Sequence, residues 1–202
     1  VKAKKKSKKK YVVYINGGVV QSKPTEKPKK KTDYEIAMEH LISKKGGTAA
    51  EYEDLMNRIA FHETGSEQRM MPDAVQIITN EKGEKVKGGV GRGLFQFEAG
   101  EKAGGITAVN RTYREYIDNN LTPPEFLEEA YKQKSLDASK LTAEQQKILF
   151  IGNYLQHPKA NLKDWREGKV TTPQFWGQFH HAGGASTNYD AFNESQKAYD
   201  KQ

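Results

Sequence analysis

The sequence predicts a mainly helical domain with a small β-hairpin beside a cleft, preceded by a basic tail. Three observations predict it. Capping-box patterns, a Thr followed three residues later by Glu or Gln, stand at Thr32/Glu35, Thr48/Glu51 and Thr142/Gln145, each ahead of apolar residues at helical spacing. The only β-prone runs beyond the first 31 residues flank Glu81-Lys82-Gly83-Glu84. Residues 1–31 hold twelve lysines against one acid, Glu26, and so carry +11 in a chain of +7, which leaves −4 for the rest.

In chain order, the block Lys2, Lys4 to Lys6 and Lys8 to Lys10 repels itself and stays extended unless it meets a polyanion such as DNA, an acidic wall polymer or an anionic membrane surface. A merely solubilising tail is the alternative. Tyr11 to Ile15 is a short β-prone run, Asn16-Gly17-Gly18 a turn signal and Val19-Val20 a return strand. Gln21 to Lys31, with Pro24 and Pro28 among lysines, reads as a linker, so the domains are 1–31 (tail and linker) and 32–202.

From Thr32 a first helix carries Tyr34, Ala37, Met38, Leu41 and Ile42, and ends before Gly46-Gly47. The second runs from Thr48 to Gly65 with Tyr52, Leu55, Met56, Ile59 and Ala60 on one stripe. Val75 to Thr79 and the residues near Val86 pair as a hairpin. A helix follows Thr107 with Val109, Tyr113, Tyr116 and Ile117, and Pro123-Pro124 opens another with Phe126, Leu127 and Tyr131 inward. Thr142 starts a longer one through Ile148, Leu149, Ile151, Tyr154 and Leu155, which Pro158 ends. Thr172, with Pro173 at the first helical position, starts the last, through Phe175, Trp176 and Phe179.

Composition narrows the function classes. At 202 residues and 35% hydrophobic, the chain suits one compact domain plus an appendage. No run approaches the roughly 18 apolar residues of a membrane span, and no signal peptide is seen. The absence of cysteine excludes disulfides and thiolate sites. The glycines at 88, 89, 91 and 93 lack the Lys-Ser or Lys-Thr of a phosphate loop, and His180-His181 lacks a metal-binding companion pattern, so neither cofactor nor metal is expected. A −4 body argues against a nucleic-acid-binding face on the folded domain.

Carboxylate chemistry is left, and Glu63 is its candidate. It continues the apolar stripe, four residues after Ile59 and seven after Met56, at the end of its helix. Partial desolvation and the negative helix end both disfavour its charged form, which is the tuning a general acid needs near neutral pH.

His62-Glu63-Thr64-Gly65, then Gly91-Arg92-Gly93-Leu94-Phe95-Gln96, then Phe179-His180-His181-Ala182-Gly183 resemble the three ordered motifs of the lytic transglycosylase and goose-type lysozyme superfamily. The resemblance covers about residues 49 to 185 and implies an α+β lysozyme-like fold. It implies cleavage of the β-1,4 bond between N-acetylmuramic acid and N-acetylglucosamine in peptidoglycan glycan strands, with Glu63 as acid and base. Gln96, Phe95, Leu94, Gly93, His181 and Tyr154 are the implied substrate-binding residues. A lytic transglycosylase needs no second carboxylate, whereas a hydrolytic muramidase requires a base to place water. Glu98 and Asp73 are the candidates for that base.

Two departures stand out. Glu63 and Gly93 lie 30 residues apart, longer than is common in the family, and the third motif has His180-His181 where Tyr-Asn is usual. The longer loop and the Gly-Leu-Phe-Gln segment are similar to wall-degrading domains of phage particles. They imply a virion location, other virion proteins as partners and a role in host entry. A non-catalytic virion structural protein whose tail holds packaged DNA is the alternative from another class.

Overall fold

The structure, a computed structural model, describes residues 12–15, 18–21, 30–101, 104–157, 162–180 and 189–202, with backbone alone at 12–15, 18–21 and 178–180. The chain divides into two compact units, Val1–Lys31 and Thr32–Gln202. In the first, β1 (Val12–Ile15) pairs antiparallel with β2 (Gly18–Gln21), Ile15 opposite Gly18, as the β-branched residues around Asn16-Gly17 predict.

The second unit is mainly helical with a small three-stranded antiparallel sheet. Its helices start where short polar side chains can satisfy the first free N–H groups. Thr32, Thr48 and Thr142 accept from the N–H of Glu35, Glu51 and Gln145, whose side chains return the bond, at the heads of α1 (Asp33–Lys45), α2 (Ala49–Glu63) and α5 (Ala143–Leu155). α7 (Thr172–His180) begins one residue earlier than the sequence reading, which puts Pro173 at the first helical position, because Thr171 is its cap. Thr171 accepts from Gln174 N–H at 3.3 Å and Gln174 Oε1 accepts from Thr171 N–H at 2.8 Å, which leaves Thr172 as the first helical residue.

The predicted hairpin is present. β3 (Val75–Thr79) pairs antiparallel with β4 (Lys85–Arg92), Ile78 opposite Val86 and Thr79 opposite Lys85. A bulge between Val75 and Ile77 absorbs extra residues of β4 around Gly88 to Gly91. β5 (Phe97–Glu98), which no sequence signal marks, joins the far side of β4, so β3 is an edge strand.

α3 (Gly104–Asp118) begins earlier than the Thr107 reading because the side chain of Glu98 caps it: Glu98 Oε2 accepts from Gly104 N–H at 2.7 Å. Its packed face also differs from the expected one. Ile106, Ala108, Val109, Thr112 and Tyr116 are buried while Ile117 is exposed, since α3 crosses α5 so closely that a Cβ on Gly152 would lie 2.4 Å from Thr112. α4 (Glu125–Gln133) buries Leu127 and Ala130, while Tyr131 sits at the surface, stacked on Tyr113. α6 (Leu162–Arg166) and α8 (Tyr189–Tyr199) complete the unit. Neither is expected from sequence. α8 lies on α2, where Phe192 stacks on His62 and Asp200, just beyond its end, pairs with Arg58. Among the described residues no helix is long and apolar enough to cross a membrane.

Candidate active site

α2 delivers Glu63. Tyr52, Leu55, Met56, Ile59 and Ala60 are all buried, which fixes the roll of the helix and turns its last residue toward the interior face. Thr64 stops it: its hydroxyl donates to Ala60 C=O at 2.8 Å and accepts from Met70 N–H at 2.8 Å, so the following turn folds back against the helix end. Gly65 (φ 66°) and Met70 (φ 59°) supply the left-handed residues this return requires.

The Glu63 side chain keeps a narrow opening to solvent but is otherwise densely surrounded by protein. Burial pushes its carboxyl up to about 7, against the opposing influence of the Trp176 indole N–H, which donates to Oε1. Desolvation is therefore the dominant cause, and the helix terminus is not needed to explain the shift. Trp176 is a partner the sequence reading missed, because its place on the apolar face of α7 marks it only as core.

Glu63 opens on a cleft of about 370 Å³. One wall is the end of α2 with the turn through Gln68, the other is the length of β3, and Gln96 and Lys85 contribute from β4 and its surroundings. Gln68, also missed, ties the two walls: its Nε2 donates to Val75 C=O at 2.9 Å and its Oε1 accepts from Val75 N–H at 3.1 Å. Gln76 accepts from Gly91 N–H at 3.2 Å and so holds the bulge.

The segment from Gly93 to Gln96 is held by a buried amide. Gln146 on α5 accepts from Leu94 N–H at 2.6 Å and donates to Pro72 C=O at 2.8 Å and Leu141 C=O at 3.0 Å. A side chain at Gly93 would be strained and would displace the Gln146 amide. Its φ is 74°, and a Cβ there would lie 2.1 Å from Gln146 Oε1. Gln96 adopts φ 48°, lines the cleft with Glu63, and donates from its Nε2 to Gly93 C=O at 2.8 Å.

The other residues put forward from sequence lie elsewhere. Phe95 and Leu94 are buried in the core, Phe95 packing on Phe97 and Phe150, within a turn whose left-handed Gln96 lines the cleft. Tyr154 is likewise buried, its hydroxyl accepting from Leu162 N–H and its ring against Phe175. Glu98 is exposed and occupied as the cap of α3, and Asp73 is exposed; neither lines the cleft. The cleft's further carboxylate is Glu67, on the exposed part of the turn. His181 falls outside the described residues, as does most of the third motif.

Among the described residues no group of three or more His, Asp or Glu is placed to hold a metal. What the arrangement can do is hold a proton on a carboxyl group near neutral pH and present it to a ligand in the cleft. A scan of protein-family models, a search of curated proteins and a search of solved structures each found no match to this chain.

Proposed function

We propose that this chain is a peptidoglycan-cleaving lytic transglycosylase with a lysozyme-like catalytic domain and Glu63 as its acid and base. The observation that carries the reading is a buried carboxyl group, raised to about 7 by that burial, at the end of a helix and facing a cleft that Gln96 also lines. Protonated Glu63 gives its proton to the glycosidic oxygen between N-acetylmuramic acid and N-acetylglucosamine as the bond to the muramoyl anomeric carbon breaks. The muramoyl N-acetyl group assists at that carbon. The Glu63 carboxylate then takes the proton of the C6 hydroxyl as its oxygen closes the 1,6-anhydro ring. Gln96, whose main-chain and amide groups are rigidly held, hydrogen-bonds the sugar amides.

Of the carboxylates put forward for hydrolysis neither Asp73 nor Glu98 lines the cleft; Glu67 does, on the exposed part of its turn, and is the residue a hydrolytic reading would have to use. In the transglycosylase reading the chain acts from a phage particle during host entry, and its lysine-rich residues 1–31 hold a polyanion, packaged DNA or an anionic wall surface. Digestion of purified peptidoglycan by the wild type and Glu63→Gln, with products read by mass spectrometry, is the test. Anhydro ends from the wild type alone are the expected result; reducing ends would make the protein a hydrolase, and equal activity in both proteins would remove Glu63 from the chemistry.

A further inference from the structure

Glu63 has two carboxyl oxygens, and the protein treats them differently. The Trp176 indole N–H donates to Oε1. That indole is held in turn: Trp176 is buried, its ring stacks on Phe150 with centroids 5.7 Å apart and planes 20° apart, and Phe150 packs on Phe95, the neighbour of Gln96. Glu63 lines the cleft, whereas Trp176 does not. Oε1 is therefore the oxygen turned into the protein, and Oε2 is the one left to meet a ligand.

A neutral carboxyl group has one carbonyl oxygen and one hydroxyl oxygen, and they differ as acceptors. The carbonyl oxygen has the more available lone pairs, so a group that can only donate favours the form whose carbonyl faces it. An indole N–H is such a group, with a proton to give and no lone pair to receive one. With Oε1 as the carbonyl, the hydroxyl of neutral Glu63 falls on Oε2. The reversed form would set an O–H against the N–H and forfeit the bond in buried surroundings, where an unmet donor costs most.

We infer that Trp176 is a positioning residue that fixes the proton of Glu63 on Oε2, the oxygen facing the cleft. In the transglycosylase reading, on which the consequence for turnover rests, one oxygen then carries out both proton transfers. The Oε2–H bond breaks as the glycosidic oxygen takes the proton and leaves the muramoyl anomeric carbon. The C6 hydroxyl then gives its proton back to Oε2 as its own oxygen closes on that carbon. Oε1 keeps the indole bond throughout, and that bond strengthens while Glu63 is charged. Trp176 lines no part of the cleft, so it acts through Glu63.

Two spectra of the full chain read the assignment without turnover. At about pH 5.5 Glu63 is neutral, and the infrared spectrum of the wild type less that of Glu63→Gln isolates its acid carbonyl band. A hydrogen bond accepted by the carbonyl oxygen lowers that stretch; one accepted by the hydroxyl oxygen does not. The band is therefore expected at higher wavenumber in Trp176→Phe, obtained by the same subtraction, with circular dichroism confirming the fold. In the ¹⁵N-labelled wild type the Trp176 indole proton should move downfield with a midpoint at about pH 7, and in Glu63→Gln it should stay still. The Trp165 indole, which donates to Thr172 Oγ1 at 3.0 Å, is the internal control and should not respond.

Turnover is read on glycan strands, also at about pH 5.5. Trp176→Phe is expected to lose about tenfold in kcat with KM within about twofold, since its carboxyl is protonated but free to present either oxygen. Leu127→Ala removes packing from α4, which lines no part of the cleft, and is expected to leave both within about twofold.

An acid band at the same wavenumber in wild type and Trp176→Phe, or a Trp176 indole that ignores pH, would overturn the inference. So would a Trp176→Phe protein with the kcat of the wild type, or a loss that Leu127→Ala reproduces, which would reduce Trp176 to packing. A wild type that leaves glycan strands intact while the band shifts and the indole titrates loses the transglycosylase reading and keeps the placement of the proton. One that releases anhydro ends with the band unmoved does the reverse.

Discussion

The indole N–H of Trp176 on α7 meets the carboxylate of Glu63 across 113 residues of chain, and it works against the burial that raises the Glu63 pKa. A donor to the charged form lowers a carboxyl pKa, so the group sits at about 7 as the balance of a strong desolvation and a weaker opposing bond. Trp176→Phe is expected to raise the Glu63 pKa further, by about half to one unit for a typical hydrogen bond. The alkaline limb of the pH–rate profile on peptidoglycan, or a carboxyl ¹³C titration, should move upward by that amount; a downward move would contradict the assignment.

Glu63 should also weaken the fold at neutral pH. Its folded-state pKa of about 7 lies above the ordinary 4.5, so the folded protein binds the proton more tightly than the unfolded chain. Stability from this group is fully present below about pH 4.5, falls as pH rises toward 7, and is gone above it. Glu63→Gln keeps an acceptor for Trp176 but cannot ionise. It should be more stable than the wild type above pH 7, by up to about 3 kcal/mol, and no more stable at pH 4. Paired thermal melts across that range check both ends.

Gln146 is expected to matter for the site without touching it. Gln146→Leu fits the space but strands Leu94 N–H and the carbonyls of Pro72 and Leu141. The cost should be about 3 kcal/mol, a Tm lower by about 6–12 °C. Below its melting point the variant should lose turnover as Gln96 loosens, which assays at 20 °C beside circular dichroism would separate from unfolding.

For the basic segment, DNA binding across a salt series should be steep in the full chain and absent from residues 32–202, whose formal charge is −4. Binding that survives the deletion would remove the polyanion role.

The helices with local start signals were legible in the sequence, and so was Glu63, because a capping Thr and five apolar residues at helical spacing set both the length and the roll of α2. The hairpin was legible for the same local reason. What was not legible rests on contacts between distant segments. Nothing near Trp176 signals a carboxylate, and Phe95 and Tyr154 look as suited to a cleft as to a core until the packing partners Phe150 and Phe175 are known. Gln68 as the tie between the cleft walls is visible only once the direction of the Val75 main chain is known.

The capping boxes at Thr32, Thr48, Thr142 and Thr171 have a consequence in time. Each is closed by residues three apart, so these helices can begin within their own few residues as the chain collapses. The cleft cannot. Its walls wait for Gln146 to find Leu94 and Pro72, 52 and 74 residues away, and for Trp176 to reach Glu63. The cleft is thus expected to assemble last and to open first. In pulse-labelling exchange the amide of Leu94 should gain protection after the α2 amides, and under mild denaturant it should lose it before them.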